Sequence, residues 1–461
     1  MRRARVAWPH LVRGLRSISH QGATAEAPAG AERIGAGIGR ISNLVLDRGE
    51  GSWLYTTDGE KYLDFSTGIG VTNLGHCHPR VTEAVREQLG KLWHAQVNIA
   101  FHGPMLELTK KLEKVMPKGL DSFLFVTTGS EAVEAAVKLA RHATKKPNVI
   151  VFQGGYHGRT LLTMSMTSSG TKYRAGYGPH ASGVFVAPHP FFALHSVPSQ
   201  PDHAQWAVEQ LEIMLQQQTA ASETAAVVLE PVLGEGGYVP PAPGLLQGIR
   251  DFCDRHNLLF IADEVQSGFG RTGRMFAVDH SNVSPDILVF AKGVASGFPL
   301  AGIASRRALT AAQPPGSQGG TYAGNAIACA AANATLDVMM APNFMETVAA
   351  RGEHLRKGLE DLRARYPEVI QEVRGPGLMI GLEFHQVGPL DTSGRHGGTV
   401  PKGFAQQMVK ACLARGLILL PTGIFETLRI IPPLIVSKEE CDAGISIFKD
   451  ALEACIKARE E

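Results

Sequence analysis

Short apolar runs bounded by polar or turn residues recur along the chain and predict the buried strands of an α/β protein. The clearest pair lies between Leu258 and Ala304, where the runs LLFIA and DILVFA are followed by Asp263 and Lys292. Strands of this kind have both faces covered, as in a mostly parallel sheet. Because ligands bind outside the carboxyl ends of such strands, the acid and the amine are expected to face the same ligand.

Other segments extend this pattern in both directions. Residues 123–126, 149–152 and 225–229 are predicted strands, and helices are predicted over residues 79–92 and the segment EAVEAAVKLARHAT. Residues 41–65 alternate like a small antiparallel piece. From about Asn343 the pattern changes to a long charged helix, further strands, a helix over 401–415 and a strand over 417–420. This succession predicts a smaller α/β domain closing over a larger one.

Composition narrows the class of ligand. The chain has 461 residues, of which 44% are hydrophobic, and its net charge is +2, so a sizeable core and two domains are expected. No dense basic run interleaved with aromatics follows the N-terminus, and no apolar window is long enough to span a bilayer. A small-molecule ligand is therefore expected, rather than nucleic acid or a membrane. The six cysteines are scattered without CxxC spacing, which predicts reduced thiols and no metal site.

The N-terminus has the composition of a targeting segment. Residues 1–20 carry five arginines with serines and apolar residues, and the first acidic residue is Glu26. This composition is typical of an organelle transit peptide, and it predicts a location in the mitochondrial matrix. A disordered basic tail is the alternative.

Asp263 and Lys292 suggest a specific cofactor, pyridoxal phosphate. A lysine forms a Schiff base with its aldehyde, and a carboxylate keeps the pyridine nitrogen protonated so that the ring withdraws electrons. Once the lysine is released from the Schiff base, its amine lies beside the reacting carbon, from which a proton must be moved. Lys292 is therefore expected to be both the anchor of the cofactor and the base. Taken alone, the two residues are explained equally well without a cofactor, if Lys292 only keeps a strand end soluble and Asp263 only caps a turn.

Six segments taken together resemble the class III (ω-amino acid) aminotransferases in order and spacing: DEVQSGFGRTG, AKGVASGFPLAG, TTGSEAVEAA, GGYHGRT, EPVLGEGG and GGTYAGNAIACAAA. The resemblance runs from about Ile41 to about Lys438. It implies a fold type I arrangement, with a large pyridoxal-phosphate domain whose mostly parallel central sheet is covered by helices. The predicted parts are a transit peptide and linker (1–33), an N-terminal segment packing with the small domain (34–78), the large cofactor-binding domain (79–342) and the C-terminal small domain (343–461).

Several residues gain candidate roles from their own surroundings. Gly129 and Ser130 begin a predicted helix after a strand, which is a suitable place for the cofactor phosphate. Glu230 and Glu235 lie in a Gly-rich loop after a strand and suit a site rich in arginine. Arg429 lies between apolar residues and is expected to have a carboxylate partner; an edge-strand arginine in solvent is the alternative.

Further roles follow from the resemblance. It implies that Val265 and Tyr156 lie against opposite faces of the cofactor ring and that Gln266 binds the ring hydroxyl. It also implies a homodimer in which Thr321 reaches the phosphate of the partner's cofactor.

The substrate side of the prediction rests on two arginines. An ω-amino donor has no carboxylate beside its reacting carbon, whereas a 2-oxo acid acceptor does. The pair of Arg429 and Glu235 would stay closed and neutral while the donor is bound, and it would open so that Arg429 meets the α-carboxylate of the acceptor. Arg159 would bind the carboxylate at the far end of the substrate. The resemblance then implies ping-pong transamination of 4-aminobutyrate with 2-oxoglutarate.

Different functions stay open on the same residues. Ornithine aminotransferases carry a tyrosine where this chain has Ile69, which argues against ornithine, but N-acetylornithine enzymes also have isoleucine there. Two hypotheses of other classes are a pyridoxal-phosphate lyase on the same scaffold and a catalytically silent dimer. The intact pair of Lys292 and Asp263 argues against the silent dimer.

Overall fold

A computed structural model describes residues 26–194, 202–387 and 399–460 of the chain. The strands are β1 (Leu46–Glu50), β2 (Trp53–Thr56), β3 (Lys61–Asp64), β4 (Ser122–Val126), β5 (Asn148–Phe152), β6 (Val184–Ala187), β7 (Thr224–Leu229), β8 (Leu259–Asp263), β9 (Ile287–Phe290), β10 (Ala301–Ser305), β11 (Ile370–Arg374), β12 (Ile380–Phe384), β13 (Leu417–Ile418), β14 (Leu420–Thr422) and β15 (Thr427–Ile430).

Helices separate most of these strands. They are α1 (Thr67–Gly70), α2 (Pro79–Leu89), α3 (Gly103–Val115), α4 (Gly129–Thr144), α5 (Leu161–Met166), α6 (Pro190–Leu194), α7 (His203–Gln217), α8 (Leu245–His256), α9 (Arg307–Thr310), α10 (Ala326–Met339), α11 (Phe344–Arg365), α12 (Phe404–Leu413) and α13 (Lys438–Glu460). Across the described ranges, none of the helices is both long and apolar enough to cross a membrane.

A central sheet organises the described residues. It has seven strands in the order β4-β10-β9-β8-β7-β5-β6, in which β5 to β9 run parallel and β10 runs antiparallel to both of its neighbours. Alternate residues of β5 point to opposite faces, since Val149 and Val151 pack in the cluster that contains the apolar face of α4, while Ile150 and Phe152 pack in the larger core. Both faces of the sheet are therefore covered, and the predicted α/β class is confirmed.

Two smaller sheets join chain segments that are far apart in sequence. One has the order β1-β2-β3-β13, so the N-terminal hairpins pair with a strand from near residue 417. The other is antiparallel, in the order β11-β12-β15-β14. The predicted single strand over 417–420 is therefore wrong: it divides into β13 and β14, which belong to different sheets. The division of the chain into domains at residues 79 and 343 stays a prediction.

The register of the central sheet brings the two central candidates to one edge. Asp263 is the last residue of β8 and lies opposite Val289 of β9. Strand β9 ends at Phe290, two residues before Lys292, which begins a short 3-10 turn at φ 47°. This left-handed conformation is uncommon for a non-glycine residue. Because β9 ends at Phe290, the chain leaves the sheet one residue before the end of the apolar run.

Candidate active site

A cavity of about 370 Å³ opens where the strands of the central sheet end. Segments that follow β4, β5, β7, β8 and β9 contribute to its wall. The predicted site residues that line it are Gly129, Ser130, Tyr156, Glu230, Asp263, Val265, Gln266 and Lys292. Its position at the carboxyl edge of a mostly parallel sheet is where ligands of such folds bind.

Lys292 projects its amine into this cavity. Removal from bulk water lowers the pKa of its ammonium, and the negative charges of Glu235, Asp263 and Glu230 only partly oppose the effect. A larger fraction of the amine is therefore uncharged and nucleophilic than for an ordinary lysine. The left-handed backbone of Lys292, at φ 47°, is the kind of outlier that persists when the surrounding structure imposes it, which is common at functional sites.

Asp263 is held by a partner that the sequence did not identify. The Nδ1 atom of His157 lies 2.8 Å from Asp263 Oδ2, and each residue is only 3% exposed. Burial acts to lower the pKa of His157, but the hydrogen bond and charge of Asp263 more than offset it and the pKa is raised. The Val265 amide also donates to Asp263 Oδ1 over 3.2 Å. The two hydrogen bonds thus fix the orientation of the carboxylate.

The N-terminus of α4 forms another part of the wall. Thr128 is the N-cap, and it forms a capping box with Glu131. A Cβ atom on Gly129 would lie 3.0 Å from Val265 Cγ1, so the backbone of Gly129 packs closely against Val265, which also lines the cavity. The Ser130 hydroxyl accepts a hydrogen bond from the Arg159 amide at 3.3 Å. Free amide groups and a hydroxyl at a helix N-terminus form a site for an anion.

These groups fit the predicted cofactor. A carboxylate oriented by His157 suits a protonated ring nitrogen, a lysine with a lowered pKa suits an aldehyde, and a helix N-terminus suits a phosphate. A hydrogen bond of 2.6 Å from Tyr238 Oη to Gln266 Oε1 positions the Gln266 side chain at the cavity wall, where it can contact a polar group of the cofactor.

Glu230 links the cofactor side of the cavity to the next loop. Its two carboxylate oxygens accept hydrogen bonds from the Tyr156 amide at 2.7 Å and the Gly234 amide at 3.0 Å. Burial raises the pKa of Glu230 to about 7, with His157 acting against the rise and Asp263 adding to it. Glu230 therefore shapes the loop that carries Glu235.

Arg429 and Glu235 form a buried ion pair beside the cavity. Arg429 lies on β15, its side chain is 6% exposed, and its Nη1 donates to Glu235 Oε1. Burial acts to lower the pKa of Arg429, but the Glu235 charge raises it overall. The pKa of Glu235 is lowered: burial opposes this, and the charges of Arg429 and Lys292 outweigh burial. The expected carboxylate partner of this arginine is present.

Arg159 contacts two tyrosines near the same cavity. Its Nε donates to Tyr156 Oη at 2.9 Å, and its guanidinium carbon is 5.3 Å from the centre of the Tyr173 ring. Arg159 does not line the cavity itself, and neither do Glu235 and Arg429. All three charged residues are nevertheless connected to the cavity wall, because Tyr156 joins Arg159 to it and the charge of Glu235, the partner of Arg429, acts on Lys292.

Two further predicted residues, Ile69 and Thr321, also lie outside the cavity wall. Ile69 is 39% exposed and adopts φ 69° in the turn α1, two residues before Val71, which does line the cavity. Such a conformation is a genuine outlier for a β-branched residue. Thr321 is exposed in the loop before α10.

The sequence prediction missed several lining residues: Val71, Thr127, Thr128, His157, Gly158, Ala291, Gly297, Phe298, Pro299 and Leu300. His157 is the most consequential of them. It lies inside the segment GGYHGRT, beside Tyr156, and a histidine after a buried strand was the available sign of a partner for Asp263.

Comparison with known proteins identifies a family. The family model Aminotransferase class-III matches residues 37–452. The chain is 41% identical to the 5-aminovalerate aminotransferase of Pseudomonas putida over 90% of this chain and 94% of that one. It is 40% identical to the 4-aminobutyrate aminotransferase of Escherichia coli K12, over 92% and 96%. Among solved structures, an (S)-enantioselective omega-transaminase from Thermomicrobium roseum superimposes with a TM-score of 0.81 at 31% identity, covering 90% of this chain and 93% of that one.

The comparison corrects the predicted location. Both named relatives are bacterial enzymes, and bacteria have no mitochondria, so the prediction of a mitochondrial matrix protein with a transit peptide is wrong on this comparison. The arginine-rich residues 1–20 that suggested it lie outside the described residues.

Proposed function

The chain belongs to the class III aminotransferases, and from that premise we propose that it transfers the amino group of an ω-amino acid to 2-oxoglutarate, with 4-aminobutyrate as the favoured donor. The observation that carries the proposal is the ion pair of Arg429 and Glu235, which Tyr173 connects to Arg159, beside the cavity that Lys292 lines. Two cationic positions, one of them masked by a carboxylate, suit one pocket that takes a monocarboxylate and a dicarboxylate in turn.

Enzymes of this class use pyridoxal 5'-phosphate, which supplies an aldehyde for the amino group and a ring that withdraws electrons from the reacting carbon. Lys292 would anchor it through Nζ, and the same amine would carry the proton at the reacting carbon. Asp263 would pair with the ring nitrogen, and Gly129 and Ser130 would receive the phosphate. Val265 and Tyr156 would enclose the ring, and Gln266 would contact its hydroxyl.

The chain's own charges would select the two substrates. With Arg429 neutralised by Glu235, the pair presents no net charge and suits the uncharged chain of the donor beside its amine. Release of Glu235 exposes the guanidinium to the α-carboxylate of 2-oxoglutarate. Arg159 would bind the distal carboxylate of both molecules, and Ile69 would supply an apolar wall near the reacting end.

A slightly longer donor, 5-aminovalerate, is the second candidate. It is supported by the relative at 41% identity, whose name carries that substrate, and the same two-arginine arrangement serves a chain one carbon longer. A related enzyme at 37% identity is named acetylornithine aminotransferase, so N-acetylornithine stays a candidate donor.

The test is glutamate formation by the purified protein loaded with pyridoxal phosphate and supplied with 2-oxoglutarate. The amine panel consists of 4-aminobutyrate, 5-aminovalerate, ornithine and N-acetylornithine. We expect kcat/KM to be largest for 4-aminobutyrate. A larger value for N-acetylornithine would overturn the donor assignment, and loss of the amine without glutamate formation would favour a lyase.

A homodimer completes the proposal. The loop that contains Thr321 packs against residues 93–101, since the Asn325 side chain donates to the Trp93 carbonyl at 3.0 Å and the rings of His94 and Tyr322 lie 5.3 Å apart. The exposed apolar side chains around this contact are Trp93, Ile99, Phe101 and Tyr322. Apolar surface of this kind supports coverage by a second copy of the chain, with Thr321 near the partner's phosphate.

A further inference from the structure

Tyr173 contacts three polar side chains at the substrate-facing side of the cavity. It ends the short 3-10 turn Thr171–Tyr173 and is half-buried. Its ring lies edge-on to that of Tyr156, with 5.1 Å between centroids, and 5.3 Å from the guanidinium carbon of Arg159. Its hydroxyl donates to Glu235 Oε2 at 3.3 Å. No role of Tyr173 follows from the sequence motifs.

The backbone around Glu235 is anchored, so only its side chain is free to change partner. The Glu235 carbonyl accepts hydrogen bonds from Thr422 Oγ1 at 2.9 Å and from the Gly423 amide at 3.0 Å. Two residues on, the Gly237 carbonyl accepts hydrogen bonds from the Arg374 guanidinium at 3.0 and 2.8 Å. When Arg429 binds a substrate carboxylate, the Glu235 carboxylate must therefore turn on a fixed backbone.

A released Glu235 carboxylate needs another donor. Its side chain is 14% exposed, so water reaches it poorly, and a charged group left without a partner in such a place is costly. The Tyr173 hydroxyl keeps its proton, because burial and then the Glu235 charge raise the pKa of Tyr173 to about 12. At 3.3 Å the hydrogen bond from Tyr173 to Glu235 is long for an O–H donor, so it can shorten when Glu235 separates from Arg429.

We propose that Tyr173 is a specificity-determining residue whose hydroxyl holds the Glu235 carboxylate while a substrate α-carboxylate occupies Arg429. The inference rests on the proposed function, because it assigns Tyr173 to the dicarboxylate half of the cycle. The Tyr173 hydroxyl stabilises the arrangement in which Glu235 is separated from Arg429 more than the arrangement in which the two are paired. Its removal therefore impairs binding of the acceptor and leaves the donor half almost unchanged.

The test is Tyr173→Phe in the holoenzyme, with equilibrium binding of two unreactive ligands measured by calorimetry. Glutarate has the length and both carboxylates of the acceptor, and butyrate has the donor's chain without the amine. Glutarate should bind roughly 10-fold or more weakly to the variant, as expected for loss of a hydrogen bond to a charged group. Butyrate should bind within about 2-fold of the original protein. Single-turnover rates should be impaired in the 2-oxoglutarate half-reaction and almost unchanged in the donor half-reaction. Steady-state rates should show a higher KM for 2-oxoglutarate.

The matched control is Tyr366→Phe, which removes a tyrosine hydroxyl from a carboxylate outside the site, since Tyr366 Oη donates to Glu453 at 2.7 Å. It should change neither affinity. Equal weakening of glutarate and butyrate in Tyr173→Phe, or no change in either, would overturn the assignment to Tyr173. If the original protein binds glutarate but forms no glutamate from any ω-amino acid, the proposed function fails while the two binding comparisons still decide the role of Tyr173.

Discussion

His157 and Asp263, which are 106 residues apart in the chain, meet as a buried pair with 2.8 Å between Nδ1 and Oδ2. The pair fixes the orientation of a carboxylate that ends β8, and the raised pKa of His157 extends the pH range over which the imidazole can carry a proton, although burial acts against the rise. A carboxylate held in this way is preorganised for a cation, with no reorientation during the reaction.

Asp263→Asn tests the charge of this carboxylate at nearly constant shape. Asparagine keeps an oxygen able to accept from His157 but cannot balance a protonated ring nitrogen. We expect kcat for transamination to fall on the order of 100-fold or more, with the chain folded. Steady-state rates and circular dichroism measure the two properties. A kcat within a few-fold of the original would show that Asp263 has no electrostatic role in the reaction.

Lys292→Ala tests the anchor and the base together. The variant should fold, lack the visible absorbance of lysine-bound cofactor and show no detectable transamination, because the nucleophilic amine is gone. Lys410→Ala removes an exposed lysine from α12 and serves as the control with normal absorbance. Retention of that absorbance by Lys292→Ala would mean that another lysine is the anchor.

The sequence predicted the groups that local patterns mark and, through the family resemblance, the distant pair of Arg429 and Glu235. It missed two groups whose roles depend on contacts made only in the fold. The fold class, the cofactor and the family were expected and are confirmed, because apolar runs and ordered motifs record local structure. His157 was missed because its partner is distant in the chain. Tyr173 lies in a short turn without hydrophobic periodicity, so nothing in the pattern marks it. The segment 417–420 was taken for one strand because hydrophobicity does not say which sheet a strand joins.

Glu230 should make stability depend on pH in a definite direction. Burial raises its pKa in the folded chain from 4.5 to about 7, so the folded state holds a proton that the unfolded chain has released. The contribution of Glu230 to wild-type stability therefore falls as pH rises from about 4.5 to about 7, and the loss is complete above that window. Glu230→Gln cannot ionise, so its free energy of unfolding relative to wild type should increase through the same window. Urea unfolding of both proteins from pH 4 to pH 8 measures this difference. A pH-independent difference would contradict the assignment.

Phe101→Asp should weaken the proposed dimer. Phe101 is 76% exposed beside other exposed apolar residues, and a carboxylate at that place would have to be desolvated on association. We expect sedimentation equilibrium to show a larger fraction of monomer at micromolar concentration. Ile213→Asp introduces the same charge on α7, at a residue that is 43% exposed outside this region, and should leave association unchanged. Identical behaviour of the two variants would argue against an interface at Phe101.

Replacement of the arginines separates the two half-reactions. If Arg159 binds the distal carboxylate of donor and acceptor, Arg159→Ala should impair both halves by the loss of a charge-assisted contact, on the order of 2–4 kcal/mol in kcat/KM for each. If Arg429 binds only the α-carboxylate, Arg429→Ala should impair the 2-oxoglutarate half far more than the 4-aminobutyrate half. Single-turnover absorbance changes, recorded for each half separately, provide the measurement. Equal losses in both halves for Arg429→Ala would rule out the switch.

Glu235→Ala should give the opposite preference from Arg429→Ala. Without the carboxylate, the guanidinium of Arg429 stays uncovered during the donor half, when only the uncharged part of the 4-aminobutyrate chain faces it. An unpaired buried charge disfavours that complex, so the donor half should slow. The α-carboxylate of 2-oxoglutarate would meet an arginine with no competing partner, so the acceptor half should be preserved or improved. A variant in which the donor half stays fast while the acceptor half slows would show that Glu235 does not mask Arg429.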